Sequence, residues 1–289
     1  GVQTCALPIS MTEDQRRRDR KQFYRRRRRQ RRIRLLICFL VLAIPTAAGI
    51  VLIKNQFGDQ IKLVGMGLTN EKVREVMSRS EEYPDELLEL LAGNEETVDF
   101  VLNYPEMKDA APAETVGEVE KGKIPLLLQW DERWGYAVYG DDMIAVNGCG
   151  PTAISMIAAG LTGDNTITPY RVAQFSAENG YYAGDSGTSW TLMTDGAQQF
   201  GIYGEELGLS ESEIYSALKN GHPIICSMKP GDFTSTGHFI VLTGTENGKI
   251  RVNDPNSRIR SEKLWDYSTL EYQINNLWEI GRASCRERV

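Results

Sequence analysis

Residues 147–163 read NGCGPTAISMIAAGLTG and set Cys149 between two glycines, immediately before an apolar run with Pro151 in its first turn. Proline at the start and a charge-free body predict a helix that begins at the cysteine and is largely buried. A thiol there meets the positive end of the helix dipole and backbone N–H groups without partners, both of which favour thiolate. The flanking glycines would let a substrate backbone come close. The same pattern also suits a small buried hydrophobe, as free cysteine often is, so the reading depends on what else the chain supplies.

Downstream the apolar period shortens. The runs HPIICSM (222–228), HFIVLTG (238–244) and KIRVND (249–254) read as strands, the last two joined through Glu246-Asn247-Gly248. Asn-Gly between alternating apolar runs is a strong hairpin signal. Upstream lie a short apolar segment from Ile124 and mixed helices to about Asn220. Helices first and an antiparallel sheet later predict an α+β fold.

Three polar residues stand at telling points of this frame. His238 opens the strand FIVLTG, where an imidazole could serve as a base or be a histidine satisfied at a sheet edge. The other histidine, His222, occupies a turn-like position before Pro223. Asp254 ends the returning strand in VNDPNS, and Asp-Pro alone is an ordinary turn. A strict two-residue turn would pair it with Val241, about 10 Å from His238 at ~3.3 Å per residue, so contact requires a bulge or a longer loop. Gln129, in LLLQWDERWG, could point its amide at the nucleophile and join the Cys149 N–H as an oxyanion hole. Trp130 and Trp134 read as core or cleft wall.

The ends are of a different character. Residues 1–10 and 280–289 have neither the composition nor the periodicity of their neighbours and read as adapter-derived sequence. Residues 11–34 carry a net charge of +10 and precede LLICFLVLAIPTAAGIVLI (35–53), nineteen residues without a charge. That length predicts a single transmembrane signal anchor with a cytoplasmic N-terminus and everything beyond Lys54 extracytoplasmic, in the cell membrane. Residues 54–122 are acidic with helical periodicity and end in the linker-like KDAAPAETVGEVEKG, predicting a helical stalk ahead of a globular domain over 123–279. With both basic ends set aside, the remainder of the net charge of −6 is strongly acidic, which argues against nucleic acid as a partner. Only Cys149 and Cys226 fall in the soluble part, too few for a disulfide framework, and two histidines give no zinc-like cluster. No cofactor or metal is expected.

Taken together, QWDERWG, NGCGPTAISM, GHFIVLTG and VNDP resemble the papain-like cysteine peptidases of the bacteriocin-processing, double-glycine type, in the thirty-ninth cysteine-peptidase family-like group. The resemblance covers Ile124 to about Trp278. It implies a papain-like fold, with a helix carrying the cysteine packed on an antiparallel sheet carrying histidine and aspartate. By matching motif it implies Gln129 for the oxyanion, Cys149 for attack, His238 for proton transfer and Asp254 for orientation, acting on a peptide or protein substrate. No GxxxxGK[ST] motif occurs, unlike in transporter-fused members. A peptidoglycan stem-peptide endopeptidase and a catalytically silent peptide- or wall-binding domain are the competing readings.

Overall fold

A computed structural model describes residues 58–184 and 187–282, and every contact discussed below lies in the unit that begins at Lys62. The basic block 11–34 and the apolar run 35–53 lie outside the described residues. Among the described residues no helix is long and apolar enough to cross a membrane, so the localisation expected from the sequence, and the membrane helix expected ahead of the fold, are corrected on that finding.

The fold is α+β. Six antiparallel strands form one sheet: β1 (Ile202–Glu206), β2 (Ile224–Met228), β3 (His238–Glu246), β4 (Lys249–Asn253), β5 (Leu264–Trp265) and β6 (Ile274–Arg282), in the order β1-β6-β2-β3-β4-β5. The β3–β4 hairpin turns at Asn247 and Gly248, whose φ angles are 52° and 75°. Positive φ at both central residues matches the right-handed twist of the flanking strands, which is why Asn-Gly is favoured there. β1 lies within a stretch read as helical from sequence. Its residues Ile202–Gly204 pair with Gly281 and its neighbours across the sheet, so Ile280–Arg282 are part of the fold. A Cβ on Gly281 would come within 2.7 Å of the Tyr203 ring.

Among the described residues, α1 (Glu71–Ser78), α2 (Asp85–Gly93), α3 (Val98–Leu102) and two shorter helices precede helix α4 (Cys149–Thr162). It buries residues around its whole circumference, from Gly150 to Gly160, and ends at Gly163 with φ 81°. That all-round burial suits its uncharged sequence, because one side meets the sheet and the other meets α5 (Pro169–Glu178). Its core cluster includes Ile154, Ile157, Phe239, Val241 and Trp278. Phe239 and Val241 point to this face, while Ile240 and Leu242 join the opposite cluster with α6 (Glu211–Lys219), as strand alternation requires.

The N-terminal helices make a third cluster that is not closed on itself. Leu87 and Leu91, one turn apart on α2, are fully buried together with Val73, Val76 and Phe100. The same cluster takes in Leu128, Trp130, Tyr136 and Ala145 from the segments that lead up to the cysteine. Each fully buried Leu contributes about 1.5–3 kcal/mol, so this layer is held to the segments that frame the site. The linker-like stretch is likewise stitched down: Val116 is buried, its N–H donates to Asn165 O, and Gly122 N–H donates to Gly160 O. Pro105 sits in the first turn of a further short helix, Tyr104–Met107, where its missing N–H costs nothing.

Candidate active site

Cys149 is the first residue of α4 and is partly exposed. The glycines around it answer to packing rather than to substrate approach. A Cβ at Gly148 would come within 2.5 Å of the Ile144 side chain, and one at Gly150 within 2.8 Å of Thr188. Thr188 is fixed in turn by Tyr139, whose hydroxyl also bonds Ser176.

His238 opens β3, and its partner is placed by a fault in the hairpin. From Glu246↔Lys249 to Gly244↔Arg251 the strands keep the register that a two-residue turn dictates. Between Leu242 and Gly244 the register slips by one, so that Leu242 faces Val252 and Val241 faces Asn253. Asp254, one residue further, therefore comes opposite Ile240 instead of Val241. Because side chains alternate, this single-residue bulge moves Asp254 onto the face of Ile240 and His238. His238 Nε2 and Asp254 Oδ1 are 2.8 Å apart, with the histidine buried and the aspartate fully so.

Both oxygens of the Asp254 carboxylate are engaged. Oδ1 also accepts the Asn256 N–H at 2.8 Å, and Oδ2 accepts Arg260 Nε at 2.5 Å. Arg260 and Ser261 lie in the short helix α7 (Arg258–Ser261), and Ser261 Oγ accepts the Asp254 N–H at 2.8 Å. Burial disfavours the charged carboxylate, but the positive charges of His238 and Arg260 outweigh it and hold the Asp254 pKa below the usual range. Burial also works against the imidazolium; Asp254, and beyond it Cys149, overcome it and raise the His238 pKa. With Nε2 committed to Asp254, Nδ1 is the ring nitrogen left for Cys149. Burial pushes the Cys226 thiol up, in the middle of β2.

Gln129 is 3 % exposed and tied to the same neighbourhood, its backbone N–H donating to Pro255 O. Its side-chain Nε2 donates to Ala145 O at 2.7 Å and meets Val146 O at 3.3 Å, while Oε1 is buried without a partner. One of its two donors is thus firmly held and the other only weakly. Cys149, Gln129 and His238 line one cleft of about 630 Å³, walled by α2 through Glu86 and Glu89 on one side and by Gly231–His238 on the other. Trp134 is core, and Trp130 lies under the Arg258 guanidinium, 4.7 Å from its ring centre. His222 is elsewhere, paired with Glu279. Sequence reasoning missed Arg260, since no motif marks a position six residues beyond an Asp-Pro turn. Among the described residues no group of three or more His, Cys, Asp or Glu could hold a metal ion.

A family profile described as the Peptidase_C39 like family matches residues 121–284. The chain belongs to this family. As a Peptidase_C39 like domain it is of peptidase type, and the match spans all four residues that line or support the cleft: Gln129, Cys149, His238 and Asp254. Among solved structures it is similar to the peptidase domain of Streptococcus ComA, a bifunctional ABC transporter of a quorum-sensing pathway, at 19 % identity and TM-score 0.36, covering 47 % of this chain and 91 % of that one. It is also similar to a double-glycine motif protease of an AMS/PCAT transporter, solved with its leader peptide, at 14 % identity and TM-score 0.35, covering 55 % and 91 %. No curated protein matches.

Proposed function

We propose that the chain is a cysteine peptidase that hydrolyses peptide bonds with Cys149 as nucleophile, His238 as general base and acid, and Asp254 as the residue that orients the imidazole. What carries this reading is the buried His238–Asp254 bond through Nε2, which leaves Nδ1 toward a thiol in the same cleft. In the first step the thiolate adds to the substrate carbonyl carbon, and the C–N bond breaks as His238 gives its proton to the leaving amine. An acyl-enzyme remains. His238 then takes a proton from water, the hydroxide adds to the thioester, and the thiolate leaves as the acid product is released. The negative oxygen of each tetrahedral state falls to the Cys149 backbone N–H and to Gln129, provided that Gln129 gives up its weak contact with Val146 O.

The test is turnover of a peptide library by the wild type and by Cys149→Ala and His238→Ala, with mapping of the residue labelled by a thiol-directed activity probe. Turnover lost in both variants, with the probe on Cys149, is the expected result. Full turnover in His238→Ala would overturn the mechanism, and a folded wild type with neither turnover nor probe labelling would favour a silent binding domain.

A further inference from the structure

We propose that Glu96, in the 3₁₀ turn that follows α2, is a positioning residue for the His238–Asp254 pair, clamping the turn that carries Arg260. The inference rests on the peptidase reading above and adds to it a residue outside the segment 121–284 that matches the family.

Both oxygens of Glu96 are spent on that turn. Oε1 accepts the Ser257 hydroxyl, and Oε2 accepts the N–H groups of Arg258 at 2.8 Å and Ile259 at 3.2 Å. Two residues earlier, Asn94 Nδ2 donates to Asn256 O at 2.5 Å, and the same carbonyl accepts Trp130 Nε1 at 3.1 Å. Every residue from Asn256 to Ile259 is therefore held from outside the loop. Arg260 and Ser261 come next along the chain, and from this loop their side chains grip Asp254, one on its Oδ2 and one on its N–H. The path from Glu96 to the imidazole thus runs through consecutive residues with few free torsions between them.

Without Glu96, three donors on the turn lose their acceptor at once, one of them on Ser257, which is 2 % exposed. The turn must then shift toward water or toward new partners, and Arg260 shifts with it. Functional constellations tolerate only about 0.5 Å of drift, and a displacement of about 1 Å costs up to ~10²-fold in rate. The cleft wall from α2 is little affected, because it is fixed by Leu87 and Leu91 in the core.

The experiment uses the full chain with Glu96→Ala, Glu96→Gln and, as a control, Asp99→Asn, whose carboxylate bonds Lys72 within the helical layer. Peptide turnover gives kcat and KM, and proton NMR follows the His238 ring proton that bridges to Asp254. In Glu96→Ala we expect kcat to fall roughly 10- to 100-fold with KM within about twofold, and the bridging proton to broaden or vanish. Glu96→Gln keeps one acceptor oxygen and recovers part of the loss; Asp99→Asn behaves as wild type. If Glu96→Ala does not fold, the Gln variant carries the test alone. Wild-type kcat and an unchanged bridging proton in the Glu96 variants overturn the proposal, as does an equal effect in Asp99→Asn. A wild type without turnover whose bridging proton is still lost in Glu96→Ala supports the clamp and sinks the peptidase reading instead.

Discussion

Replacing Asp254 by asparagine separates two jobs that the carboxylate performs together. An amide oxygen can still accept a hydrogen bond from His238 Nε2, and cysteine peptidases with Asn in this role exist. Here, however, the second oxygen faces Arg260 Nε at 2.5 Å while the first also takes the Asn256 N–H. With Oδ1 turned to His238 and Asn256, the new NH2 group meets a guanidinium N–H, donor against donor. Turned the other way, it confronts two donors and satisfies only the arginine. Either way a buried charge loses its partner, which costs about 3–5 kcal/mol when no water can help. Arg260 keeps 21 % of its side chain exposed, so the low end, about 3 kcal/mol, is the expectation. At roughly 2–4 °C per kcal/mol for a domain of this size, Tm should fall by about 6–12 °C. The assay is a double-mutant cycle of Asp254→Asn and Arg260→Met, read by urea unfolding at pH 7 and by kcat/KM. The Met side chain removes the stranded donor, so the double variant should be more stable than Asp254→Asn alone, with a coupling of at least ~1 kcal/mol. Additive losses, or a single Asp254→Asn change within about 0.5 kcal/mol of wild type, would refute the argument.

Three further outcomes follow from the same structure. At mildly acidic pH iodoacetamide should label Cys149 long before Cys226, which is fully buried and whose thiol burial holds protonated; peptide mapping showing Cys226 first would sink the assignment. The His238–Asp254 pair should stabilise the fold most between about pH 4 and 6.5. The raised histidine contributes fully below its unfolded value and loses that contribution as pH climbs toward its folded one, whereas the lowered aspartate contributes above about 3.9 and loses its share on acidification; urea midpoints across pH, flattened in His238→Ala, check both limbs. Gly150→Ala should cost about 1–3 kcal/mol by overpacking against Thr188, measured by thermal unfolding, and adding Thr188→Ser, which clears one methyl from the contact, should return part of the loss.

The elements that sequence made legible are those set by local period and turn chemistry. Asn70 caps α1 by accepting the Lys72 N–H, and Pro84 immediately precedes α2, so both boundaries of this helical stretch are set by local chemistry. The hairpin turns at Asn247-Gly248 because only such residues adopt two successive positive φ angles at low cost. β1 escaped because its five residues have a meaning only beside β6, whose last residues looked foreign to the chain. The need for a bulge could be stated from residue counts alone. Its position at Thr243 could not, since nothing in VLTGTE distinguishes the residue that drops out of register.

The coupling of the helical layer to the site was invisible for a different reason. Each of the two turns involved looks locally complete. Asn94 accepts the Glu96 N–H at 3.1 Å and Ser257 accepts the Arg260 N–H at 3.0 Å, so each reads as an ordinary cap that needs nothing else. Yet a carboxylate has two oxygens and a hydroxyl both accepts and donates. It is the capacity left over after local capping, the Glu96 carboxylate on one side and the Ser257 proton with two N–H groups on the other, that joins segments more than 160 residues apart. Local pattern reports how a turn satisfies itself; which surface consumes the remainder is decided by the packing of Leu87, Leu91 and Trp130 that brings the two turns together.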